Sequence, residues 1–455
     1  MKILSITAQK PHSTGSGTYL TELVRSFDAM GHKQAVVCGI YPDDTVEFPE
    51  GVACFPVFFT KSGGAASVSD GRSASADSLF APCKIRAGGS DDQPFSCISF
   101  PVTGMSDIMP YESTRYRDMT PAMIDEFEKA FIGAVCRAVS DLDPDLIICH
   151  HLFLLTALVR KHFPGRKIYG ISHGTDLRQM RNCSDLGRLV QPEIANIDMA
   201  LALHSEQAAQ IKEIFGLDDD HVRVIGSGYN DRLFNTEGRV SYKDTFIEGS
   251  GSTSAAPVRL CYAGKISRPK GVPEMLAALE RLAADPDIPP FELTMAGGCQ
   301  DEILKSKLDS LPSYIDYLGQ IPQPALAGLL RQTDVFILPS YFEGLPLVLI
   351  EAMASGAVPV STDLPGVKEW IDSNVSGPNV RYVPMPEMKS IDEPTEAGRA
   401  KFIDDLSSAL SAVICDITAA ARGSGSSAAA AGLASLVPDT SSITWSGVAE
   451  RILSL

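Results

Sequence analysis

The sequence lacks several features that would place it in a particular class of protein. Its ten cysteines include no pair separated by two residues and no spacing typical of a zinc site. It has no run of about 18 apolar residues, the usual signature of a membrane-spanning helix. Basic residues are in deficit, with 39 Lys and Arg against 56 Asp and Glu and a net charge of −17. This balance argues against a broad nucleic-acid-binding surface but leaves room for one local basic pocket.

The cysteines and the N-terminus lead to an expectation about the compartment. Cys38, Cys149 and Cys261 lie inside apolar, strand-like runs, where a free thiol behaves as a small hydrophobe. A reducing compartment is therefore expected. The first residues, MKILSIT, begin a strand-like run rather than a signal peptide. We expect a soluble, cytoplasmic protein of two or three domains, because 455 residues exceed one compact core.

Short apolar runs alternate with amphipathic helical patterns along the chain, which predicts an α/β fold with parallel sheets. The first series of predicted strands covers 2–7, 35–40, 146–149, 167–172, 199–204 and 222–226. A second series covers 258–263, 291–296, 314–318, 334–339 and 358–361. Each series predicts one doubly wound domain, with ligands bound outside the carboxyl ends of the strands.

Composition suggests where these domains begin and end. An N-terminal domain is predicted over 1–240, with a low-complexity insertion at 60–95. A flexible linker or insertion is predicted at 241–257, followed by a C-terminal domain at 258–440. The last residues, 441–455, have the spacing of a short amphipathic helix.

The strongest motif is LPSYFEGLPLVLIEAMASG at 338–356. It predicts a strand, a short loop and then a helix that begins near Leu345 with Pro346 in its first turn. The N-terminus of a helix carries unsatisfied N–H groups and a positive dipole end, which suit a diphosphate. Glu343 lies just before this helix and Glu351 eight residues later, and carboxylates there accept hydrogen bonds from sugar hydroxyls.

Two glutamates at this spacing also fit a simpler interpretation, with a capping Glu343 and a solvated Glu351. The residues that flank Glu351 are apolar, however, and such a neighbourhood disfavours a charge without a partner. We therefore predict a functional role for both carboxylates.

A second motif, YAGKISRPKG at 262–271, follows the predicted strand 258–263. It places Lys265, Arg268 and Lys270 in a loop before a helix that begins near Val272. Cations at this edge of the sheet would oppose the charge of a diphosphate and stabilise it as a leaving group. A solvated basic turn is the simpler alternative.

Together the two motifs resemble those of the retaining glycosyltransferases of family 4. Glu343 and Glu351 match the E-x7-E motif of that family. Its Gly-Arg and Lys-Gly pairs correspond to Gly264-Lys265 and Lys270-Gly271. Lysine replaces the usual arginine at position 265, which keeps the charge but loses bidentate geometry.

The resemblance covers most of the chain outside 60–95 and 422–440, and it is most specific across 258–372. It implies the GT-B fold, an α/β architecture of two facing Rossmann-like doubly wound domains with a cleft between them. The helix at 441–455 would cross back to the first domain. The implied activity is metal-independent transfer of a hexosyl group, with retention, from a nucleotide-diphosphate sugar to an unidentified acceptor.

The resemblance also implies residue roles. Catalytic roles fall on Glu343, Lys265, Lys270 and His173, although His173 could simply satisfy its strand–loop turn. The donor-binding residues would be Glu351, Arg268, Gly344, Leu345, Leu347, Gly15, Ser16 and Gly17. Asp176 and His151 are the candidates for acceptor binding, and no metal ligand is expected.

The N-terminal candidates lie on loops that follow predicted strands. The segment 12–18, HSTGSGT, holds Gly15 and Gly17, which let the backbone approach a ligand closely. It lacks the third glycine of a dinucleotide fingerprint. His150 and His151 are adjacent, and because adjacent side chains on a strand diverge, they make a poor metal pair.

Two further segments have open interpretations. Residues 160–188 contain seven Lys and Arg against two Asp, a local charge of +5. This charge fits an anionic acceptor or lipid headgroups, and equally well exposed helix faces. The Met, Tyr and Arg content of residues 101–118 would suit an acceptor lid.

We expect no cofactor, with a UDP- or GDP-sugar as donor substrate. The other expected partner is a sugar, glycan, lipid-linked or small-molecule acceptor, with no nucleic acid. One alternative is a non-catalytic nucleotide-sugar-binding subunit. An NAD-dependent oxidoreductase is less favoured, because neither domain has a complete glycine fingerprint with its downstream acid.

Overall fold

The computed structural model describes residues 1–62, 97–107, 109–242, 256–390, 393–422 and 438–455. The chain forms two compact units, Met1–Ser227 with Trp445–Leu455, and Gly228–Thr444. The predicted insertion at 60–95, the linker at 241–257 and the 422–440 segment lie largely outside the described residues. Among the described helices, none is both long and apolar enough to cross a membrane.

The N-terminal unit is built on a parallel sheet. Its strands are β1 Lys2–Thr7, β2 Lys33–Ile40, β3 Ala53–Phe59, β4 Cys97–Ile98, β5 Thr103–Gly104, β6 Thr114–Arg115, β7 Leu146–His150, β8 Ile168–Ile171, β9 Met199–Ala202 and β10 Val222–Val224. Its helices are α1 Gly15–Ala29, α2 Pro121–Leu142, α3 Leu154–His162, α4 Thr175–Asn182, α5 Ser184–Ile194 and α6 Ser205–Phe215. In the described part of the unit, eight strands pair in the order β10-β9-β8-β7-β1-β2-β3-β4. The central strands are apolar and buried because helices cover both faces of such a sheet.

The C-terminal unit repeats this architecture. Its strands are β11 Val258–Ala263, β12 Phe291–Ala296, β13 Ile315–Tyr317, β14 Val335–Leu338, β15 Val358–Thr362, β16 Arg381–Val383, β17 Met388–Ser390 and β18 Glu393–Pro394. Its helices are α7 Val272–Ala284, α8 Glu302–Leu308, α9 Gln323–Arg331, α10 Leu347–Ala354, α11 Val367–Asn374 and α12 Glu396–Ala421. Six of the described strands pair in the order β13-β12-β11-β14-β15-β16, with parallel neighbours throughout. The predicted α/β class with doubly wound parallel sheets is confirmed.

Both sheets contain a point where the chain order reverses. In the N-terminal sheet β1 lies between β2 and β7, and in the C-terminal sheet β11 lies between β12 and β14. Loops leaving the carboxyl ends of strands at such a point diverge to opposite faces of the sheet and leave a crevice between them. The loops after β1 and β7, and those after β11 and β14, are therefore where each unit has room for a ligand.

The boundary between the units differs from the predicted position at residue 240, because residues 228–242 belong to the C-terminal unit. The guanidinium of Arg239 holds this segment in place. It donates hydrogen bonds to the carbonyl oxygens of Thr333 and Ser355, at 3.0 and 2.9 Å.

The chain ends in helix α13, Trp445–Leu453, which belongs to the N-terminal unit. Its Trp445 ring packs edge-on against Tyr19 of α1 at 4.7 Å between ring centroids. The guanidinium of Arg451 donates to the carbonyl oxygen of Ile225 at 2.9 Å. The apolar face that the sequence predicted for this helix is thus buried against α1.

Candidate functional site

The two motifs of the C-terminal unit meet at its switch point. Lys265 and Lys270 follow β11, and Glu343 follows the neighbouring strand β14. The loops are joined by a backbone hydrogen bond, in which the N–H of Tyr341 donates to the carbonyl oxygen of Pro269 at 3.0 Å. Residues that are about 70 positions apart in the sequence are therefore in direct contact.

Two glycines permit this close approach. Gly271 has a φ of +65°, and a Cβ at this position would lie 2.0 Å from the carbonyl oxygen of Pro339. Gly297, just after β12, has a φ of +143°, and its Cβ would lie 1.8 Å from the oxygen of Gly264. Only glycine fits where backbones pack this closely. The sequence prediction missed Gly297, although a Gly-Gly pair directly after a buried strand was the available signal.

The central contact of the site is an ion pair between Lys270 and Glu343. Nζ of Lys270 lies 2.7 Å from Oε1 of Glu343, and both side chains are partly exposed, at 26% and 18%. The hydroxyl of Ser340 donates to the same carboxylate oxygen at 2.8 Å. Two donors therefore fix the orientation of Glu343 and leave the pair accessible to solvent.

Lys265 lies beside this pair in an unusual electrostatic environment. Partial burial, and secondly the positive charge of Lys270, lower the pKa of Lys265 to about 8. Its backbone is held by Tyr262, whose hydroxyl donates to the Lys265 carbonyl oxygen at 2.7 Å. Burial, with a contribution from Glu343, raises the pKa of Tyr262 well above its usual value. Tyr262 therefore stays a neutral donor that fixes the lysine loop.

The remaining residues of the 338–356 motif surround the start of α10. The helix begins at Leu347, two residues later than predicted, because Pro346 has an extended conformation and precedes it as the cap. Glu351 is only 6% exposed, as its apolar neighbours indicated. Leu345 is buried, whereas Gly344 and Leu347 are partly exposed beside the helix N-terminus.

Arg268 is placed differently from the two lysines. Its Nε donates to Oδ2 of Asp301 at 3.0 Å, and its side chain is half exposed. Asp301 also caps α8 by accepting from the N–H groups of Ile303 and Leu304. Arg268 thus has a structural partner on a neighbouring helix, and its predicted donor contact stays a prediction.

In the N-terminal unit the predicted glycine loop begins α1. Thr14 caps the helix by accepting a hydrogen bond from the N–H of Gly17 at 3.2 Å. A Cβ at Gly17 would lie 2.9 Å from the carbonyl oxygen of Lys10, so Gly17 serves the turn itself. No atom of the described chain lies within 4 Å of a Cβ at Gly15, which leaves space beside the helix start. Ser16 donates to the side-chain oxygen of Gln9 at 3.1 Å.

The other N-terminal candidates form a histidine cluster, His150, His151 and His173. Nδ1 of His150 lies 3.1 Å from Nε2 of His173, and the two rings stack at 5.3 Å between centroids. The ring of His151 lies 4.8 Å from that of His173. Both rings thus contact His173. His151 has a left-handed φ of +74° instead of strand geometry, so the strand alternation ends at His150.

All three imidazoles are held neutral. Burial lowers the pKa of His150 to about 3 and lowers that of His151. Burial, and then the neighbouring histidines, lower the pKa of His173 well below its usual value. In the described ranges, no group of three or more His, Cys, Asp or Glu side chains is arranged to hold a metal ion.

Asp176 is completely buried, and both of its oxygens accept hydrogen bonds from protein groups. Oδ2 accepts from the N–H of Leu152 at 2.7 Å, and Oδ1 accepts from Ser172 and from the N–H of His173. This carboxylate therefore joins the loops after β7 and β8. The position of Asp176 favours a role in orienting His173 over the predicted role in acceptor binding.

The basic segment at 160–188 is largely neutralised within the unit. Arg160 pairs with Asp198, and the other ion pairs join Lys161 to Glu128, Arg166 to Asp143 and Arg188 to Asp185. These contacts favour the interpretation as ordinary helix faces. The 101–118 segment is also built into the unit, because Val102, Met105 and Tyr116 belong to its apolar core.

Part of the C-terminal unit is similar to a known protein family. Residues 257–388 match the family model described as glycosyl transferases group 1. A D-inositol 3-phosphate glycosyltransferase of Arthrobacter sp. (strain FB24) is 31% identical over 179 residues, which cover 38% of this chain and 41% of that protein. A phosphatidyl-myo-inositol mannosyltransferase of Mycolicibacterium smegmatis is 30% identical over 128 residues, or 28% and 32% of the two chains. The matched regions thus span less than half of these relatives.

The fold has a broader match. The structure of a sucrose-phosphate synthase from Thermosynechococcus elongatus superimposes with a TM-score of 0.63 and 16% identity, covering 100% of this chain and 97% of that chain. At this level of identity the likeness concerns the fold alone. The predicted GT-B architecture of two Rossmann-like domains is confirmed.

Proposed function

We propose that this chain, a member of the glycosyl transferases group 1 family through residues 257–388, transfers a hexosyl group from a nucleotide-diphosphate sugar to an acceptor hydroxyl. The observation that carries this proposal is the joining of Lys265, Lys270 and Glu343 beside the N-terminus of α10. Cations and a helix N-terminus suit a diphosphate, and a carboxylate suits the hydroxyls of a sugar. One crevice thus offers groups for both halves of the donor.

The charge balance of the crevice supports a leaving-group role for the lysines. Glu343 neutralises Lys270, with Oε1 2.7 Å from Nζ. An incoming diphosphate would attract Lys270, which would leave the Glu343 carboxylate for the sugar. The charge of Lys265, which partial burial and Lys270 disfavour, would be stabilised by the diphosphate. These groups supply the compensation that a metal would otherwise provide, so we propose a metal-independent reaction.

The proposed reaction keeps the configuration of the sugar. The bond from the anomeric carbon to the diphosphate oxygen breaks, and a bond to the acceptor oxygen forms on the same face. The acceptor proton passes to the departing diphosphate oxygen. The neutral histidines of the N-terminal unit agree with this assignment, because their lowered pKa values make them weak proton acceptors at neutral pH. We propose that Glu351 binds the donor ribose and that the N-terminal unit binds the acceptor.

A nucleotide-sugar-binding subunit without turnover is the second candidate. Partial exposure of the Lys270–Glu343 pair would serve binding and turnover alike. A donor-hydrolysis assay separates them, because a transferase slowly passes the sugar to water. We expect release of nucleoside diphosphate from a UDP- or GDP-sugar, and its loss in Lys270→Ala and Glu351→Ala. Saturable binding without release would support the binding subunit, and no binding at all would contradict both functions.

A further inference from the structure

The histidine cluster contains a hydrogen bond whose direction fixes the chemistry of His173. Nδ1 of His150 and Nε2 of His173 lie 3.1 Å apart, and both rings are neutral because burial lowers their pKa values. A neutral imidazole has one N–H and one bare nitrogen. Exactly one of these two atoms therefore carries the shared proton, and the tautomers of the two rings are coupled.

The second nitrogen of His150 decides between the two arrangements. Nε2 of His150 is buried and has no hydrogen-bond partner among the described residues. If His173 donated, His150 would carry its proton on Nε2, and a buried N–H would be left unsatisfied. If His150 donates from Nδ1, Nε2 is only an unpaired acceptor. Buried donors without partners are rarer than buried acceptors without partners, so donation by His150 is favoured.

We infer that His150 is a positioning residue that donates from Nδ1 to Nε2 of His173 and so keeps the proton of His173 on Nδ1. His173 then presents a neutral N–H donor to an oxygen of the substrate, either a sugar hydroxyl or a phosphoryl oxygen. Within the described ranges, the hydrogen bonds of His173 involve its Nε2 and its backbone N–H, which leaves Nδ1 for the substrate. This inference rests on the proposed function for the identity of the substrate, but not for the tautomer.

The surroundings hold the His173 ring in one orientation. Tyr19 packs edge-on against His173 at 5.1 Å, and its hydroxyl is fixed by donation to the carbonyl oxygen of Gly226 at 2.8 Å. Asp176 accepts from the backbone N–H of His173 at 3.2 Å. The backbone carbonyl of His151 accepts from the hydroxyl of Thr156 at 2.5 Å, which fixes the neighbouring turn. The Tyr19 contact fixes the plane of the His173 ring, and a flip of the ring about its Cβ–Cγ bond would replace Nε2 by a carbon and so break the hydrogen bond with His150.

The chain offers a matched set of variants. His150→Asn places an amide N–H close to the original Nδ1, whereas His150→Leu removes the donor. His151→Asn is the control, because His151 contacts the same ring without the hydrogen bond. Asparagine also tolerates the positive φ of 74° at this position.

The tautomer is measured by two-bond 15N–1H correlation spectra of the full-length protein labelled at histidine nitrogen, recorded at neutral pH without substrate. We expect His173 in the Nδ1–H form in the original protein, in His150→Asn and in His151→Asn, and a mixture of forms in His150→Leu. An Nε2–H form of His173 in the original protein would overturn the inference, even if His150→Leu fails to fold. An unchanged His173 spectrum in folded His150→Leu would also overturn it.

Kinetics give a second readout. In the donor-hydrolysis assay, His150→Leu should lower kcat by roughly 10- to 100-fold and should change KM less. This decrease in kcat is smaller than the one expected when a transition-state donor is deleted outright, because His150→Leu keeps His173. His150→Asn should restore most of this loss. A kcat unchanged in His150→Leu would contradict the role of the tautomer in turnover. A protein that turns over no nucleotide-sugar would count against the proposed function, while the spectra would still decide the tautomer.

Discussion

Lys270 and Glu343 form an ion pair, with Nζ 2.7 Å from Oε1, although they lie on loops after different strands. We expect substitutions of the two residues to have different effects on turnover and on diphosphate binding. Lys270→Ala removes a cation that faces the leaving group, and we expect kcat/KM to fall by about 10²- to 10³-fold. Glu343→Gln leaves the cation in place, so we expect weaker turnover but retained binding of the nucleoside diphosphate.

Donor hydrolysis and calorimetric titration of the nucleoside diphosphate measure these effects. Lys307→Ala, which removes an equal charge from an exposed position on α8, is the matched control and should behave as the original protein. Loss of diphosphate binding in Glu343→Gln, or its retention in Lys270→Ala, would contradict this division of roles.

Donor affinity should depend on pH through Lys265. Its pKa of about 8 lies below the usual value for lysine, because the side chain is partly buried beside Lys270. The charged form binds the diphosphate, so affinity should be highest below pH 8 and should fall as the pH rises through 8. Lys265→Arg should remove this fall, since arginine stays charged. Calorimetric titrations between about pH 7 and 9.5 test this, and parallel profiles for the two proteins would contradict it.

The fold of the site should depend on Gly271. A Cβ there would lie 2.0 Å from the carbonyl oxygen of Pro339, and φ is +65°. Gly271→Ala should therefore lower the free energy of unfolding by more than the ~1–2 kcal/mol that a left-handed conformation costs. Gly377, with a φ of +66° and no described atom within 4 Å of its Cβ position, provides the control. Equal effects of Gly271→Ala and Gly377→Ala in urea unfolding would show that the loop contact is unimportant.

A buried ion pair should stabilise the C-terminal unit. Asp334 is 3% exposed and accepts hydrogen bonds from Nε and Nη2 of Arg259 at 2.9 and 2.8 Å. Asp334→Ala leaves a charge without its partner, and we expect a loss of about 3–5 kcal/mol. The exposed pair of Arg281 and Asp404 should contribute ~1 kcal/mol or less. Urea unfolding of Asp334→Ala and Asp404→Ala measures both, and similar losses would contradict the prediction.

Much of the C-terminal sheet could be predicted from the sequence. The strands at 258–263 and 291–296 were predicted with the bounds that the structure shows. Apolar residues dominate both strands, with Arg259 and Glu292 as charged exceptions, because most positions of a central parallel strand are buried. The candidates Lys265, Arg268 and Lys270 were found because their loop directly follows the strand at 258–263.

Other features depend on contacts that the sequence does not display. Strand β3 was not predicted from the sequence. It contains Pro56, and a proline within an apolar run argues against a strand when only the sequence is considered. The ion pair of Lys270 and Glu343 requires the pairing of β11 with β14. The approach of His151 to His173 requires a left-handed backbone, which local patterns in a histidine pair do not indicate.

Binding of nucleotide-sugars is the most direct test of the proposed activity. A thermal-shift panel compares UDP-, GDP- and ADP-sugars with NAD, using the original chain and Lys270→Ala. We predict that one nucleotide-sugar raises the Tm of the original chain, that Lys270→Ala loses most of this increase, and that NAD has no effect. No increase with any nucleotide-sugar, or an increase with NAD alone, would contradict the proposal.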